Sequence, residues 1–148
     1  MARPRTEVAV PFVIDASVAA CWFFPDETHP VASRSWLRIH DDEAIVPAHW
    51  WFEVRNIMLV GERRGRSTGQ RTGFAIEKLA RMAIRHAPTP PDADVFALAR
   101  KHRLTFYDAA YLELARREDI ALATLDDELA TAAHNEQVSL VSPASDPA

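Results

Sequence analysis

The feature that most constrains the fold is the alternation of short apolar segments with longer stretches of helical periodicity. The short segments are bounded by turn signals, and they predict strands at residues 9–14, 44–46, 84–87, 120–123 and 138–141. The longer stretches predict helices at residues 16–22, 29–39, 48–62, 67–82, 91–102, 106–117 and 126–134. Strands separated by helices pair in parallel, and the crossover helices cover both faces of the sheet. The sequence therefore predicts an α/β fold, a three-layer α/β/α domain with a central parallel sheet of about five strands.

The length and composition fit one cytoplasmic domain. The chain has 148 residues, of which 48% are apolar, and no linker or repeat divides it, so we expect a single domain over 1–148 with a frayed tail at 142–148. Cys21 is the single cysteine, which excludes an intramolecular disulfide and a cysteine-based zinc site. The apolar run before Asp15 is too short for a signal peptide, and no stretch reaches the roughly 18 apolar residues of a membrane helix. We therefore expect no contact with a membrane.

Acidic residues from separate segments are placed where they can meet at one edge of the predicted sheet. The functional crevice of a parallel α/β sheet lies at the carboxyl ends of its strands. Asp15 follows the first strand, and the doublet Asp126 and Asp127 follows the fourth. Glu53 lies near the start of the third helix, and Asp108 lies in the first turn of the sixth. Each aspartate also has the position of a helix cap or first-turn acid, so a capping role is the alternative for any one of them.

Glu53 is the acid that is hardest to explain by structure alone. Trp50, Val54, Ile57 and Met58 recur at helical spacing and predict a buried face, and Glu53 falls on that face. Glutamate is seldom buried without a partner, and we expect no basic residue on this face. A bound metal cation would compensate its charge.

The donor types favour a hard divalent cation. Clustered carboxylates repel one another, and oxygen ligands without cysteine favour Mg²⁺ or Mn²⁺ over zinc. The histidines show no H-x-x-x-H spacing and are interpreted as surface or capping residues: His29, His40, His49, His86, His102 and His134. An acidic Mg²⁺ site is suited to phosphodiester chemistry, because the cation binds the phosphate and activates water.

Four segments of the sequence resemble those of PIN-domain ribonucleases in order and spacing. They read FVIDAS, PAHWWFEVRN, LTFYDAAYLELA and LATLDDEL, and the resemblance, which covers roughly residues 10 to 141, is closest to the VapC-type toxins of bacterial toxin–antitoxin pairs. It implies a parallel sheet between helices and an acidic pocket that binds Mg²⁺ or Mn²⁺. The catalytic and metal-binding acids of the family match Asp15, Glu53, Asp108 and Asp126.

The same resemblance implies supporting residues around the acids. The family's hydroxyls match Ser17 and Thr124, and Asn56 matches a polar position after the glutamate. The T-x-D spacing favours Asp126 over Asp127 as the fourth acid, although the doublet leaves Asp127 as a supporting residue or an alternative.

The resemblance further implies a Mg²⁺-dependent endoribonuclease that forms a homodimer and is neutralised by a cognate antitoxin. Although the net charge is −4, the chain has 15 arginines and only two lysines, and arginine binds phosphate well. The arginine-rich hairpin between the third and fourth helices is the candidate RNA contact, and the alternative is a solvated turn; its arginines are Arg63, Arg64, Arg66 and Arg71.

Two other functions are compatible with acids at strand ends. The first is a PIN-fold module that binds RNA or a partner without cleaving it, and the presence of all four acids argues against it. The second is a phosphotransfer domain, which needs a lysine near the phosphate, whereas Lys78 and Lys101 do not follow a strand.

Overall fold

The computed structural model describes residues 9–142 and contains a sheet surrounded by helices; residues 143–148 of the predicted tail lie outside this range. The strands are β1 (Phe12–Ile14), β2 (Ala44–Val46), β3 (Ile84–His86) and β4 (Ala121–Ala123). The helices are α1 (Ala16–Phe23), α2 (Pro30–Arg38), α3 (Trp50–Arg63), α4 (Gly69–Ala80), α5 (Asp92–His102), α6 (Phe106–Glu118) and α7 (Asp127–Asn135). Each helix predicted from periodicity is present, with ends that differ by a few residues.

The sheet is parallel, and its strand order creates one crevice. The order is β3-β2-β1-β4, so the chain proceeds outward from β1 to β3 and then returns to the other side of β1 with β4. Ile14 pairs with Ala123, which aligns the ends of β1 and β4. Ligands of open α/β sheets bind where the strand order reverses, outside the carboxyl ends of the strands. The fold therefore points to the ends of β1 and β4.

The fifth predicted strand is reduced to one bridge. In segment 138–141, Leu140 pairs in parallel with Leu122 of β4 as an isolated bridge. Two backbone hydrogen bonds of 2.9 Å join Leu122 to Ser139 and Val141. The segment thus lies beside the sheet as predicted, but within residues 9–142 the ladder is too short to extend it beyond four strands.

Helices cover both faces of the sheet, as the apolar strands require. Phe12, Val13 and Ile14 of β1 are fully buried, which is typical of a strand that is covered on both sides. Helix α6 packs against β1 and β4, and α2 also packs against β4. The predicted three-layer α/β/α architecture is confirmed. Within residues 9–142, no helix combines the length and apolar character needed to cross a membrane.

Two glycines shape the hairpin between α3 and α4. Gly65 has a φ of 75°, in the left-handed region that glycine adopts most readily, and it lies in the turn between Arg63 and Gly69. A Cβ atom on Gly61 would lie 2.3 Å from Cε1 of Phe24, so the absence of a side chain lets α3 pack closely on the end of α1. The glycine-rich window therefore serves chain reversal and helix packing.

Candidate active site

Asp15 lies at the end of β1 and is held by several donors. Its Oδ1 accepts hydrogen bonds from the Ser17 hydroxyl at 2.5 Å and from the Val18 backbone N–H at 3.1 Å. Its Oδ2 accepts a short hydrogen bond from the hydroxyl of Thr124, which follows β4. The side chain is the N-cap of α1, and the residue is 5% exposed. The capping interpretation of Asp15 is thus confirmed, and the same bonds fix its carboxylate at the crevice.

The loop after β4 brings Asp126 to the same end of the sheet. Asp126 is the N-cap of α7 and accepts a hydrogen bond from a backbone N–H of that helix at 2.9 Å. Its own backbone N–H donates to the Thr124 hydroxyl at 3.0 Å. Ser17 accepts a hydrogen bond from the backbone of this loop at 3.3 Å, so both predicted hydroxyls join the two strand ends. Asp127 is the exposed first residue of α7.

Asp108 connects the acids electrostatically. It lies in the first turn of α6, where its backbone N–H donates to the N-cap Thr105 at 3.1 Å. Burial raises the pKa of Asp108, and the carboxylates of Asp126 and Glu53 raise it further. Asp108 in turn contributes to the raised pKa of Asp15. Asp108 therefore lies within electrostatic range of each of the other three acids predicted from sequence.

Among these acids, Asp15 has the pKa that is raised furthest above its ordinary value. Burial raises its pKa from 3.8 to about 6, even though Ser17, Thr124 and Val18 donate to it and favour the charged form. A nearby cation would reverse this preference and hold the carboxylate charged.

Glu53 differs from its prediction in exposure and in partners. It lies half-buried at the edge of the core-facing side of α3, with its side chain 35% exposed. Its Oε1 accepts a hydrogen bond from the Tyr111 hydroxyl at 2.7 Å and lies 3.2 Å from Nε2 of His49. Burial alone would raise the pKa of Glu53, but His49 and Tyr111 outweigh it and hold the pKa below its ordinary value. The expectation that no basic side chain shares this face is wrong, because His49 lies one helical turn before Glu53.

Tyr111 and His49 are site residues that the sequence interpretation missed. Tyr111 is almost fully buried in α6, and the His49 ring packs against the rings of Tyr107 and Tyr111 at centroid distances of 5.3 and 4.9 Å. The sequence spacing could have identified both residues, because residues three or four apart lie on the same side of a helix. Tyr111 is three residues after Asp108, and His49 is four residues before Glu53. His49 occupies the N-cap position of α3, as the capping interpretation expects, but its side chain forms no cap hydrogen bond and instead contacts Glu53 and the two tyrosines.

The remaining predicted residues lie away from this cluster or on its rim. Asn56 is exposed on α3, one turn after Glu53. Arg63 lies ten positions beyond Glu53, which corresponds to about 15 Å along the helix axis. Arg66 forms ion pairs with Asp26 at 3.2 Å and Glu27 at 2.9 Å. The other two hairpin arginines are exposed: Arg64 and Arg71.

The carboxylate oxygens around the crevice are chemically suited to bind a hard divalent cation. In the part of the chain that the structure describes, no lysine or arginine forms an ion pair with any of the four acids. Within residues 9–142, no group of three or more histidine, cysteine or acidic side chains is already close enough to hold a metal ion. Mg²⁺ and Mn²⁺ prefer carboxylate oxygens as ligands. The carboxylates here repel one another, and no lysine or arginine of the described residues compensates their charge. A bound cation would thus relieve the repulsion between these carboxylates.

Comparison with known proteins identifies the family. The PIN domain family matches residues 12–135. This chain belongs to the PIN domain family. Ribonuclease VapC3 of Pyrobaculum aerophilum is 34% identical over 121 residues, which cover 80% of this chain and 91% of that relative, and this places the chain in the VapC type.

Two solved structures share the fold of this VapC-type chain. PAE2754 from Pyrobaculum aerophilum superposes with a TM-score of 0.66 at 22% identity, covering 84% of this chain and 87% of that one. VapC20 from Mycobacterium tuberculosis, described as a toxin that cleaves the sarcin-ricin loop, superposes with a TM-score of 0.59 at 17% identity, covering 82% and 94%. At these identities the superpositions show a common fold.

Proposed function

We propose that this chain is a divalent metal-dependent endoribonuclease that acts as the toxin of a toxin–antitoxin pair. The observation that carries the proposal is that Asp108 interacts electrostatically with Asp15, Glu53 and Asp126 near the switch point of a parallel sheet, without a lysine or arginine pairing with these acids in residues 9–142. The relative at 34% identity is named a ribonuclease, which supports RNA as the substrate. An RNA-binding protein that does not cleave would have no need for acids placed together without a lysine or arginine partner.

Asp15, Glu53, Asp108 and Asp126 would hold Mg²⁺ or Mn²⁺. When bound, such a cation supplies positive charge for the phosphate and makes water a stronger nucleophile near neutral pH. The chain positions the carboxylates through helix starts and strand ends, which are rigid elements. The hydroxyls of Ser17 and Thr124 orient the Asp15 carboxylate, and the N-terminus of α7 orients Asp126.

The Tyr111 hydroxyl is expected to orient Glu53 for the cation. Tyr111→Phe removes the donor at 2.7 Å, so we expect Mn²⁺ to bind roughly tenfold more weakly, as is usual when a partner of a metal ligand is lost. The matched control is Tyr107→Phe, which removes the hydroxyl of an exposed tyrosine one turn earlier in α6. Calorimetric titration with Mn²⁺ measures both variants, and equal affinities for Tyr111→Phe and the unmodified chain would exclude this orienting role.

The proposed substrate is a structured RNA that is cut in an exposed single-stranded loop, where unpaired bases are accessible. The description of VapC20 as a toxin that cleaves an RNA loop supports this class of substrate. Arg63, Arg64 and Arg71 are proposed to contact phosphates at a distance from the acids, and Arg66 would have to leave Asp26 and Glu27 to do so. The proposed partners are a cognate antitoxin and a second copy of the chain.

Cleavage of RNA by the purified, antitoxin-free chain tests the proposed function. We expect discrete fragments from total bacterial RNA with Mg²⁺ or Mn²⁺ and none in EDTA, because chelation removes the charge that the phosphate needs. Mapping of the fragment ends would identify the cleaved loop. Fragments that persist in EDTA would contradict the metal dependence, and an absence of cleavage by a chain that binds both metal and RNA would favour the binding module.

A further inference from the structure

An exposed aromatic ring stands directly beside the acidic cluster. Tyr107 is 60% exposed and immediately precedes Asp108 in α6. Consecutive residues of a helix do not face each other, so the ring is placed at the site by its contact with the His49 imidazole, which lies 3.2 Å from the Glu53 carboxylate. Phe106, the residue before it, is also exposed and contacts the exposed ring of Phe96 with centroids 4.8 Å apart. Exposed aromatic rings thus lie next to a site whose other side chains are mainly carboxylates.

The Tyr107 ring is supported from behind. It packs against the His49 imidazole with centroids 5.3 Å apart and an angle of 51° between the planes. The imidazole is itself held by the ring of Tyr111 and by the carboxylate of Glu53. An aromatic side chain whose orientation is already restricted loses little entropy when a ligand packs on its free surface. The Tyr107 ring is therefore preorganised to stack with a planar ligand group.

The charge of the site calls for a source of RNA affinity other than phosphate attraction. Asp108 lies near the carboxylates of Asp126 and Glu53, which repel a polyanion. Stacking of a base on an aromatic ring carries no charge and strengthens single-stranded RNA binding by about tenfold per base. Arg100, whose guanidinium lies 5.0 Å from the centroid of the Phe96 ring, offers an exposed cation along the same edge.

We propose that Tyr107, supported by His49, is the stacking site for an unpaired nucleobase next to the phosphate that is cleaved. The inference rests on the proposed ribonuclease function and specifies how the substrate is held. Phe106 and Phe96 continue the aromatic edge toward Arg100, which contacts the RNA backbone. Paired bases cannot reach the ring, so Tyr107 selects single-stranded segments.

A second copy of the chain is the competing occupant of this surface. A symmetric contact through Tyr107 would bring two acidic clusters toward each other, because each ring contacts the His49 imidazole beside its own Glu53. Like charges that face each other at short range oppose association. The charge distribution therefore favours an RNA base over a second copy.

RNA binding in EDTA tests this site without cleavage. Fluorescence anisotropy measures the affinity for a short labelled single-stranded RNA and for an abasic ribose-phosphate oligomer of equal length. We expect Tyr107→Ala to weaken binding of the base-bearing RNA by about tenfold and to leave the abasic oligomer unaffected. Tyr107→Phe keeps the ring and retains the affinity. Phe74→Ala removes a comparably exposed ring of α4, at 63% exposure, and is the matched control with unchanged binding.

The possible outcomes separate this inference from the ribonuclease proposal. Equal affinities of Tyr107→Ala and the unmodified chain for the base-bearing RNA would overturn the stacking site, whether or not the chain cleaves RNA. A change from dimer to monomer in Tyr107→Ala, with RNA affinity per chain unchanged, would assign the surface to self-association instead. The expected ring-dependent binding would stand even if RNA cleavage were absent, in which case the ribonuclease proposal alone would fail.

Discussion

Replacing Asp108 with asparagine is expected to lower metal-dependent RNA cleavage by on the order of a hundredfold or more, since loss of even an outer partner of a metal ligand typically costs tenfold to a hundredfold. Asp108 is the acid whose charge interacts with Asp126, Glu53 and Asp15. Asparagine keeps the shape but removes the charge that would hold the cation. Initial rates of cleavage of one mapped RNA loop measure the effect.

The same substitution should not destabilise the metal-free chain. Burial and the neighbouring carboxylates raise the pKa of Asp108, which means that its charged form is disfavoured in the folded state. A neutral amide relieves that repulsion, so in EDTA the midpoint of thermal unfolding should stay equal or rise. Asp94→Asn is the matched control, because Asp94 occupies the equivalent first-turn position of α5 and is exposed. Full activity of Asp108→Asn, or equal loss in Asp94→Asn, would be incompatible with the proposed site.

In EDTA, the free energy of unfolding is expected to contain a contribution from Asp15 that falls by about 3 kcal/mol as pH rises through about 6. The pKa of this carboxyl is 3.8 when unfolded and about 6 when folded, so the folded state binds the proton more tightly. The stabilisation is complete below the unfolded value and is lost as pH rises through the folded value. Urea unfolding at a series of pH values measures the change.

Two comparisons isolate the Asp15 contribution from other titrating groups. Asp15→Asn cannot titrate, so the difference in unfolding free energy between this variant and the unmodified chain should follow pH as described. Mg²⁺ added above pH 6 should restore stability to the unmodified chain because the cation neutralises the carboxylate, whereas Asp15→Asn should gain less. A difference between the two chains that is constant with pH would show that Asp15 is not held in the environment described.

Local sequence patterns were sufficient to predict the helices, most of the strands and the edge of the sheet at which the acids lie. Periodicity located the seven helices of residues 9–142, and the rule that parallel strands end at a common crevice placed Asp15 and Asp126 together. The edge strand β3 gave a weak signal because its residues are largely exposed, and a continuous apolar run is typical only of strands covered on both faces.

Contacts between distant residues could not be predicted in the same way. The bond between Tyr111 and Glu53 joins residues 58 positions apart, and it exists because α3 and α6 both start at the crevice. The ion pairs of Arg66 with Asp26 and Glu27 likewise depend on how the hairpin lies against the end of α1. Such pairings are set by packing between elements, which the spacing of residues within one element does not encode.

Anomalous diffraction from crystals grown with Mn²⁺ is the most direct measurement of the central claim. The expected result is a peak between the carboxylates of Asp15, Glu53, Asp108 and Asp126, at the carboxyl ends of β1 and β4, that disappears in Asp108→Asn. A peak coordinated elsewhere, or a protein that cleaves RNA in Mn²⁺ with no peak among these acids, would contradict the assignment of this crevice as the metal centre.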